Sequence, residues 1–366
     1  MADEPITISL CMIVRNEEET IARCLDSVKG IPDEIVIVDT GSTDQTKEIV
    51  SGYTDKIIDF TWIDDFAAAR NFAFSKATKD YILWLDADDV FADADREKFL
   101  KLKDKMDRSL DIVNMPYLLA FDQTGAVSFS LRRNRLVKRS KNFRWIGAVH
   151  EYLEVYGSIF NSDICVTHKG IERDDSDRNL KIYEKRKAGG ESFSPRDLYY
   201  YGNELFDHQL FGKAVEVYLE FLGTEQGWIE DNLSSCGKLA ECFQKLGEKD
   251  KELEYLFNSF KYATPRAEFC CRLGFYFLDA KQYEQGAFWY KLATELEKPF
   301  DSWGPRIEAC WTWLPHLQLC VCYDRLGKHV LAYEHNEIAR KYRPENSQIL
   351  YNKKYLEGVL GIDGGK

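Results

Sequence analysis

The stretch Tyr81-Ile82-Leu83-Trp84-Leu85 runs directly into Asp86-Ala87-Asp88-Asp89. Five consecutive apolar residues read as a short strand buried on both faces, the kind found in parallel sheets covered by helices. Alternate residues of an extended segment point the same way, so Asp86 and Asp88 can turn both carboxylates to one site. Two hard oxygen ligands, with waters and phosphate oxygens, suit Mg²⁺ or Mn²⁺. Alone, Asp-x-Asp is a weak pattern. Its plain structural alternative is a turn or helix cap made by Asp88 and Asp89.

The sequence upstream strengthens the first reading. Ile6 to Val14 is an apolar, β-branched run that ends in Arg15-Asn16-Glu17, and Glu18 to Val28 is patterned as an amphipathic helix. Glu34 to Val38 is a second apolar strand and ends at Asp39. Gly41 supplies a turn, and Ser42 and Gln45 have capping-box spacing, predicting a helix from Thr43 to Val50. Lys56 to Phe60 reads as a strand and Phe66 to Ala77 as an Ala-rich helix. Two of these strands end in carboxylates, and open α/β sheets bind ligands beyond the carboxyl ends of their strands. An acid at Asp39 can accept hydrogen bonds from a base or ribose, although no G-x-G-x-x-G fingerprint is present.

Downstream, Val113 to Phe121, Ala126 to Leu131, Leu136 to Lys138, Glu151 to Val155 and Ile164 to Thr167 read as added strands that complete the domain. From Ser176 onward the alternation stops and the chain is patterned as helices. A turn-and-helix pattern recurs there. Aligning its small-residue slot on Ala214, Glu252, Gly286 and Ala332 gives steps of 38, 34 and 46 residues; 34 is the tetratricopeptide period and the longer steps would be insertions, with Trp303-Gly304-Pro305 as a loop in the longest. This resembles a degenerate tetratricopeptide array of three to four helix pairs over roughly 195 to 345. The expected fold class is a Rossmann-like α/β domain with a mostly parallel sheet over 1–175, followed by an all-α tetratricopeptide-like helical-repeat domain over 176–366.

The bulk properties agree. The chain has 366 residues, 45% hydrophobic and 30% charged, a globular composition long enough for two domains. A net charge of -12 argues against nucleic acid as the main partner. The 10 cysteines have no zinc spacing and read as reduced core thiols of a cytoplasmic protein. Asp3 and Glu4 lack the basic start of a signal peptide, and no apolar run is long enough to span a membrane.

Three blocks carry a family resemblance: Ser9-Leu10-Cys11-Met12-Ile13-Val14-Arg15-Asn16-Glu17-Glu18, Ile35-Val36-Ile37-Val38-Asp39-Thr40-Gly41-Ser42-Thr43-Asp44, and Trp84-Leu85-Asp86-Ala87-Asp88-Asp89. In this order and spacing they resemble the family 2 glycosyltransferases of GT-A fold. Asp65-Phe66-Ala67-Ala68-Ala69-Arg70-Asn71 is similar to a branch that carries C-terminal tetratricopeptide repeats. The resemblance implies roles. Arg15, Glu17 and Asp39 would hold the nucleoside, Arg70 would help at the nucleotide, Asp86 would sit beside ribose and metal, and Asp88 would bind the metal. Trp145-Ile146-Gly147-Ala148-Val149-His150-Glu151 resembles the branch's His-Glu segment, which makes Glu151 the first candidate for general base and His150 the second. His168, after another strand-like run, would complete the metal shell, its alternative being a structural histidine. For Arg70 the alternative is a surface salt bridge.

The implied reaction is a metal-dependent (Mn²⁺ or Mg²⁺), inverting, non-processive hexosyl transfer. The donor is a nucleotide sugar, by family preference UDP-linked, and the acceptor a peptide, protein or glycan. Lys141 stands where the processive synthases have Gln before Arg144-Trp145, and no membrane spans follow. The helical array would bind the acceptor or mediate a homodimer. The basic stretch Arg132, Arg133, Arg135, Lys138, Arg139, Lys141 and Arg144 would receive the diphosphate or an anionic acceptor, unless it is a solvated face. Two other classes stay open: a binding scaffold with an inactive transferase domain, and a sugar nucleotidyltransferase.

Overall fold

The computed structural model describes residues 5–121, 125, 127–171, 177–298 and 307–362. Asp3-Glu4, Ala126, Ser176 and the expected loop Trp303-Gly304-Pro305 lie outside the described residues. The chain divides into two compact units, Met1–Ser192 and Phe193–Lys366. The helix Arg178–Ala188, whose sequence places it with the helical region, thus falls in the first unit.

In that unit β1 (Ile8–Val14) pairs in parallel with β2 (Glu34–Asp39) and β4 (Tyr81–Trp84), and β2 with β3 (Ile57–Asp59). Beyond β4 the sheet continues through β7 (Val127–Lys138), β6 (Ile112–Phe121), β11 (Val166–His168) and β5 (Asp89–Val90); β7 is antiparallel to both its neighbours. β10 (Ile159–Asn161) adds to β6, and β8 (Arg144–Ile146) forms a separate ribbon with β9 (Tyr152–Glu154). The two runs expected at 126–131 and 136–138 are one strand. The basic residues between them broke the apolar pattern without breaking the ladder.

Period-two alternation makes the two covering layers. Ile8, Leu10, Met12 and Val14 of β1 pack on one face of the sheet with Ile21 and Leu25 of α1 (Ile21–Ser27) and Phe99 of the helix Asp93–Lys105. Cys11 and, from β2, Val36 and Val38 pack on the other face with Ala67 and Ala73 of the helix Phe66–Ser75. The small alanines let that helix lie close to the strands.

One carboxylate ties the lower rim. Glu34 accepts hydrogen bonds from Ser9, from Lys56 and from the backbone N–H and hydroxyl of Thr78. Burial pushes its carboxyl up, but those bonds outweigh burial and hold it at about 2. A depressed folded value means stability that is present above the ordinary carboxylate range, near 4.3, and lost as pH falls through about 2. Glu34→Gln is therefore expected to cost about 1–3 kcal/mol at pH 7 and much less near pH 2. Urea titrations at both pH values check this; an equal loss at both would mean packing, and not ionisation, is responsible.

Among the described residues the second unit holds four helix pairs and a final helix: Pro195–Asp207 with Phe211–Gly223, Ile229–Leu246 with Lys249–Asn258, Ala267–Asp279 with Tyr283–Glu295, Leu314–Arg325 with His329–Tyr342, then Ser347–Leu360. The aligned slot is real. Ala214, Glu252, Gly286 and Ala332 each stand fourth in the second helix of a pair, and all are buried. Two residues ahead of each second helix the backbone is left-handed, at Gln209 (φ 59), Gly247 (φ 78), Lys281 (φ 58) and Gly327 (φ 69). Only glycine takes that conformation without a Cβ clash. Gln209→Gly and Lys281→Gly are each expected to stabilise the chain by about 0.5–1 kcal/mol. Chemical denaturation reads this directly, and a loss of stability would show that the side chains hold contacts worth more than the strain.

Candidate functional site

The carboxyl ends of β1 and β4, and the residue after β2, open onto one cavity of about 790 Å³. β1 lies between β2 and β4, so the cavity sits where the strand order reverses, the usual ligand crevice of such sheets. Arg15 and Glu17 line it after β1, Thr40 after β2, and Asp86 and Asp88 after β4, with His168 from β11. Arg70, from the helix beneath, is also in the wall. Asp39 is not: it lies one residue behind Thr40 and is 1% exposed.

The loop after β1 is held by the loop after β2. Asn16, in a left-handed conformation (φ 55), donates its N–H to Ser42 Oγ and accepts from the N–H of Thr43. The Glu17 N–H goes to Thr46 and the Glu18 N–H to Asp44. This corrects the capping-box reading. Ser42 is spent across the loops, and the helix begins at Thr46 with no side-chain cap. Asp39 Oδ1 accepts the N–H groups of Gly41 and Ser42, both at 2.9 Å, while its Oδ2 is buried without a partner.

After β4 the three acids diverge. Asp86 pairs with Arg70 at 2.7 Å. Burial would push its carboxyl up, but Arg70 and then Arg135 hold it below the ordinary range. Asp88 lies 3.5 Å from His168 Nδ1, and lifts that imidazole above its ordinary value against burial. Asp89, fully buried, receives the Asp86 N–H and pairs with the fully buried Arg135 at 3.0 Å. Burial pushes the Asp89 carboxyl up to about 6 even so. The group able to converge on a cation is therefore Asp88, Asp89 and His168, whose ligand atoms lie within 4.8 Å of one another. Asp89 Oδ1 is buried and faces His168 Nδ1 at 3.9 Å, beyond hydrogen-bond length, a gap that a shared cation would bridge. Two carboxylates and an imidazole fit Mn²⁺ or another borderline divalent ion better than Ca²⁺. Asp86, expected among the ligands, is paired with Arg70, and Asp89 is the acid that groups with Asp88 and His168.

Arg70 joins two sites. Its Nε meets Glu151 at 2.6 Å while its Nη2 holds Asp86, and its guanidinium lies over the rings of Trp84 and Trp145. Glu151 and His150 line a second, smaller cavity on the far side of Arg70. His150 is held at φ 51, left-handed for a residue with a Cβ, a strain that often marks functional sites.

Most of the basic stretch is used within the fold. Lys138 and Arg139 bond backbone carbonyls, Lys141 pairs with Asp111, and Arg135 is the buried partner of Asp89. Only Arg132, Arg133 and Arg135 of it reach a cavity described above. The larger cavity is faced, besides Arg15 and Arg70, by Arg178, Lys181 and Lys185 of the helix Arg178–Ala188. Their spacing of three and four places them on one helix face. Tyr183 anchors that helix through the Val149 carbonyl. Tyr117, whose hydroxyl meets His168 Nδ1 at 3.1 Å, also lines both cavities. Nothing in the apolar run Val113 to Phe121 singled it out.

Residues 9–144 match the family model described as Glycosyl transferase family 2, so the first unit carries a domain of that family. A TPR repeat-containing protein of Synechococcus elongatus is 39% identical over 153 residues, 40% of this chain and 35% of that one. The SPbeta prophage-derived glycosyltransferase SunS of Bacillus subtilis is 30% identical over 218 residues, 56% of this chain and 50% of that one. The chain thus spans half or less of the length of these two relatives. Among solved structures, a tetratricopeptide repeat protein from Parabacteroides merdae is 13% identical with a TM-score of 0.40, covering 51% of this chain and 68% of that one.

Proposed function

We propose that the family 2 glycosyltransferase domain over residues 9–144 makes this chain a metal-dependent, inverting transferase. It moves a sugar from a nucleotide sugar, UDP-linked, to a peptide, protein or glycan acceptor. The observation that carries the reading is the convergence of Arg15, Glu17, Arg70, Asp86, Asp88 and His168 on one cavity at the carboxyl ends of the strands.

The roles follow from the groups in place. Asp39 Oδ2, a buried acceptor without a donor, suits an N–H of the base at the inner end of the cavity. The rigid loop at Arg15 to Glu17 flanks the nucleoside. Asp88 and His168, with Asp89 behind them, would hold the divalent metal, and Asp86 with Arg70 would face the ribose. The metal, when bound, neutralises charge on the departing diphosphate. Arg178 and Lys181 add positive charge to the same wall. Glu151 or His150, beyond Arg70, takes the acceptor proton. Arg70 keeps Glu151 anchored next to the reacting centre. The helical repeats, an extended stack of helix pairs, would bind the acceptor or form a homodimer. Nine of the ten cysteines are buried free thiols, in keeping with a reducing cytoplasm. Among the described residues no helix is long and apolar enough to cross a membrane.

A thermal-shift panel of nucleotide sugars tests the reading. A UDP-sugar with Mn²⁺ should stabilise the chain by about 2.7 kcal/mol at a hundredfold excess over Kd, and much less with EDTA. Equal stabilisation with and without metal would remove the metal from the scheme, and no shift with any nucleotide sugar would remove the donor.

A further inference from the structure

The second cavity, about 420 Å³, has a polar wall that the fold does not satisfy. Trp145 is 4% exposed and Arg135 fully buried. The indole N–H of Trp145 and the Nε and Nη2 groups of Arg135 are buried and have no acceptor. Each such donor costs about 1–3 kcal/mol, and native folds seldom leave three in one wall. Arg135 is held in place, with its guanidinium between the rings of Trp84 and Tyr117 and its Nη1 on Asp89. Arg132, in the same wall, gives its Nε and Nη2 to the side chain and carbonyl of Asn114 and to the Ser162 carbonyl. Those partners are neutral, so its charge is not offset by them. The two carboxylates of the wall, Asp86 and Glu151, are both engaged by Arg70.

Resting on the transfer reading above, we infer that this cavity is the acceptor subsite and that the acceptor carries an oxyanion, a carboxylate or a phosphate, near its nucleophile. The oxyanion accepts the donors of Arg135 and Trp145 under the charge of Arg132. The nucleophile is then directed to Glu151 and His150 at the Arg70 end. There the bond from the acceptor heteroatom to the anomeric carbon forms as the bond to the diphosphate oxygen breaks. The diphosphate leaves with the electron pair and the acceptor-side base keeps the proton.

The test is calorimetric titration of the full chain, in EDTA, with glucuronate, glucose 6-phosphate and neutral glucose. At least one acid should bind about tenfold or more tighter than glucose, and which acid does so separates carboxylate from phosphate. Trp145→Phe keeps a ring and removes one donor, and Arg132→Gln removes the charge. Each variant, checked for folding by circular dichroism, should weaken the acid about tenfold and leave glucose unchanged. The inference is overturned if the acids bind no tighter than glucose, if neither acid binds, if both variants bind like the wild type, or if UDP displaces the bound acid, which would make this the donor's phosphate seat. Release of UDP from a nucleotide sugar with Mn²⁺ is measured separately. A chain that cleaves the donor but shows no preference for acids loses only the inference. One that binds the acids but never releases UDP keeps the oxyanion site and loses the transfer reading.

Discussion

Asp88→Asn is expected to lower metal-dependent release of UDP from a UDP-sugar by at least about a hundredfold, several kcal/mol of transition-state stabilisation. The substitution keeps the size of the side chain and removes the charge nearest His168, at 3.5 Å. Asp88 is 28% exposed at its side chain, so it is reachable by an ion and does little packing. The loss should therefore appear in activity and in the Mn²⁺ concentration needed, with the melting temperature unchanged. Initial rates across a Mn²⁺ titration check it. Full activity at ordinary Mn²⁺ would assign the metal to other ligands, and a large fall in melting temperature would make Asp88 a structural residue of the turn.

Arg135→Met should have the largest effect on stability, a loss of about 3–5 kcal/mol. Arg135 and Asp89 are both fully buried and face one another at 3.0 Å. Removing the cation leaves a buried carboxylate that keeps the Asp86 N–H and the Tyr117 hydroxyl but has lost its charge partner. The double variant Asp89→Asn with Arg135→Met should recover much of the loss, because it leaves no uncompensated charge. Urea unfolding of both single variants and the double one gives the coupling. Near-additive losses would mean that the two residues act through packing alone. Because the Asp89 carboxylate also fixes the Asp86 backbone, the single variant should lose donor cleavage along with stability.

These two residues mark what could and could not be seen in the amino-acid order. Asp86 and Asp88 were legible because an all-apolar strand delivers them to a known place, the carboxyl end of a parallel sheet. The helical repeat was legible because one buried slot recurs at the fourth residue of each second helix. Arg135 was hidden: among seven basic residues it looks in sequence like any of the others, and only tertiary packing buries it against Asp89. Ser42 misled for a related reason. Its spacing to Gln45 fits a local cap, yet its hydroxyl serves the Asn16 N–H from the adjacent loop. The pairing of Asp86 with the Arg70 guanidinium, sixteen residues away in sequence, was likewise not legible from strand alternation. Arg178 and Lys181 went unread because their helix follows the end of the sheet pattern and was grouped with the repeats. In each case the missing information is a contact distant in sequence, which no local period reports.

The central claim is that the cavity at the ends of β1, β2 and β4 seats a nucleotide sugar through a metal. A crystal structure of the full chain with UDP and Mn²⁺ tests it most directly. The account predicts a metal about 2.1–2.3 Å from an Asp88 oxygen and bonded to His168, with diphosphate oxygens completing its shell and the uracil within hydrogen-bond reach of Asp39. A nucleotide bound elsewhere, or bound in this cavity with the metal away from both Asp88 and His168, would contradict it.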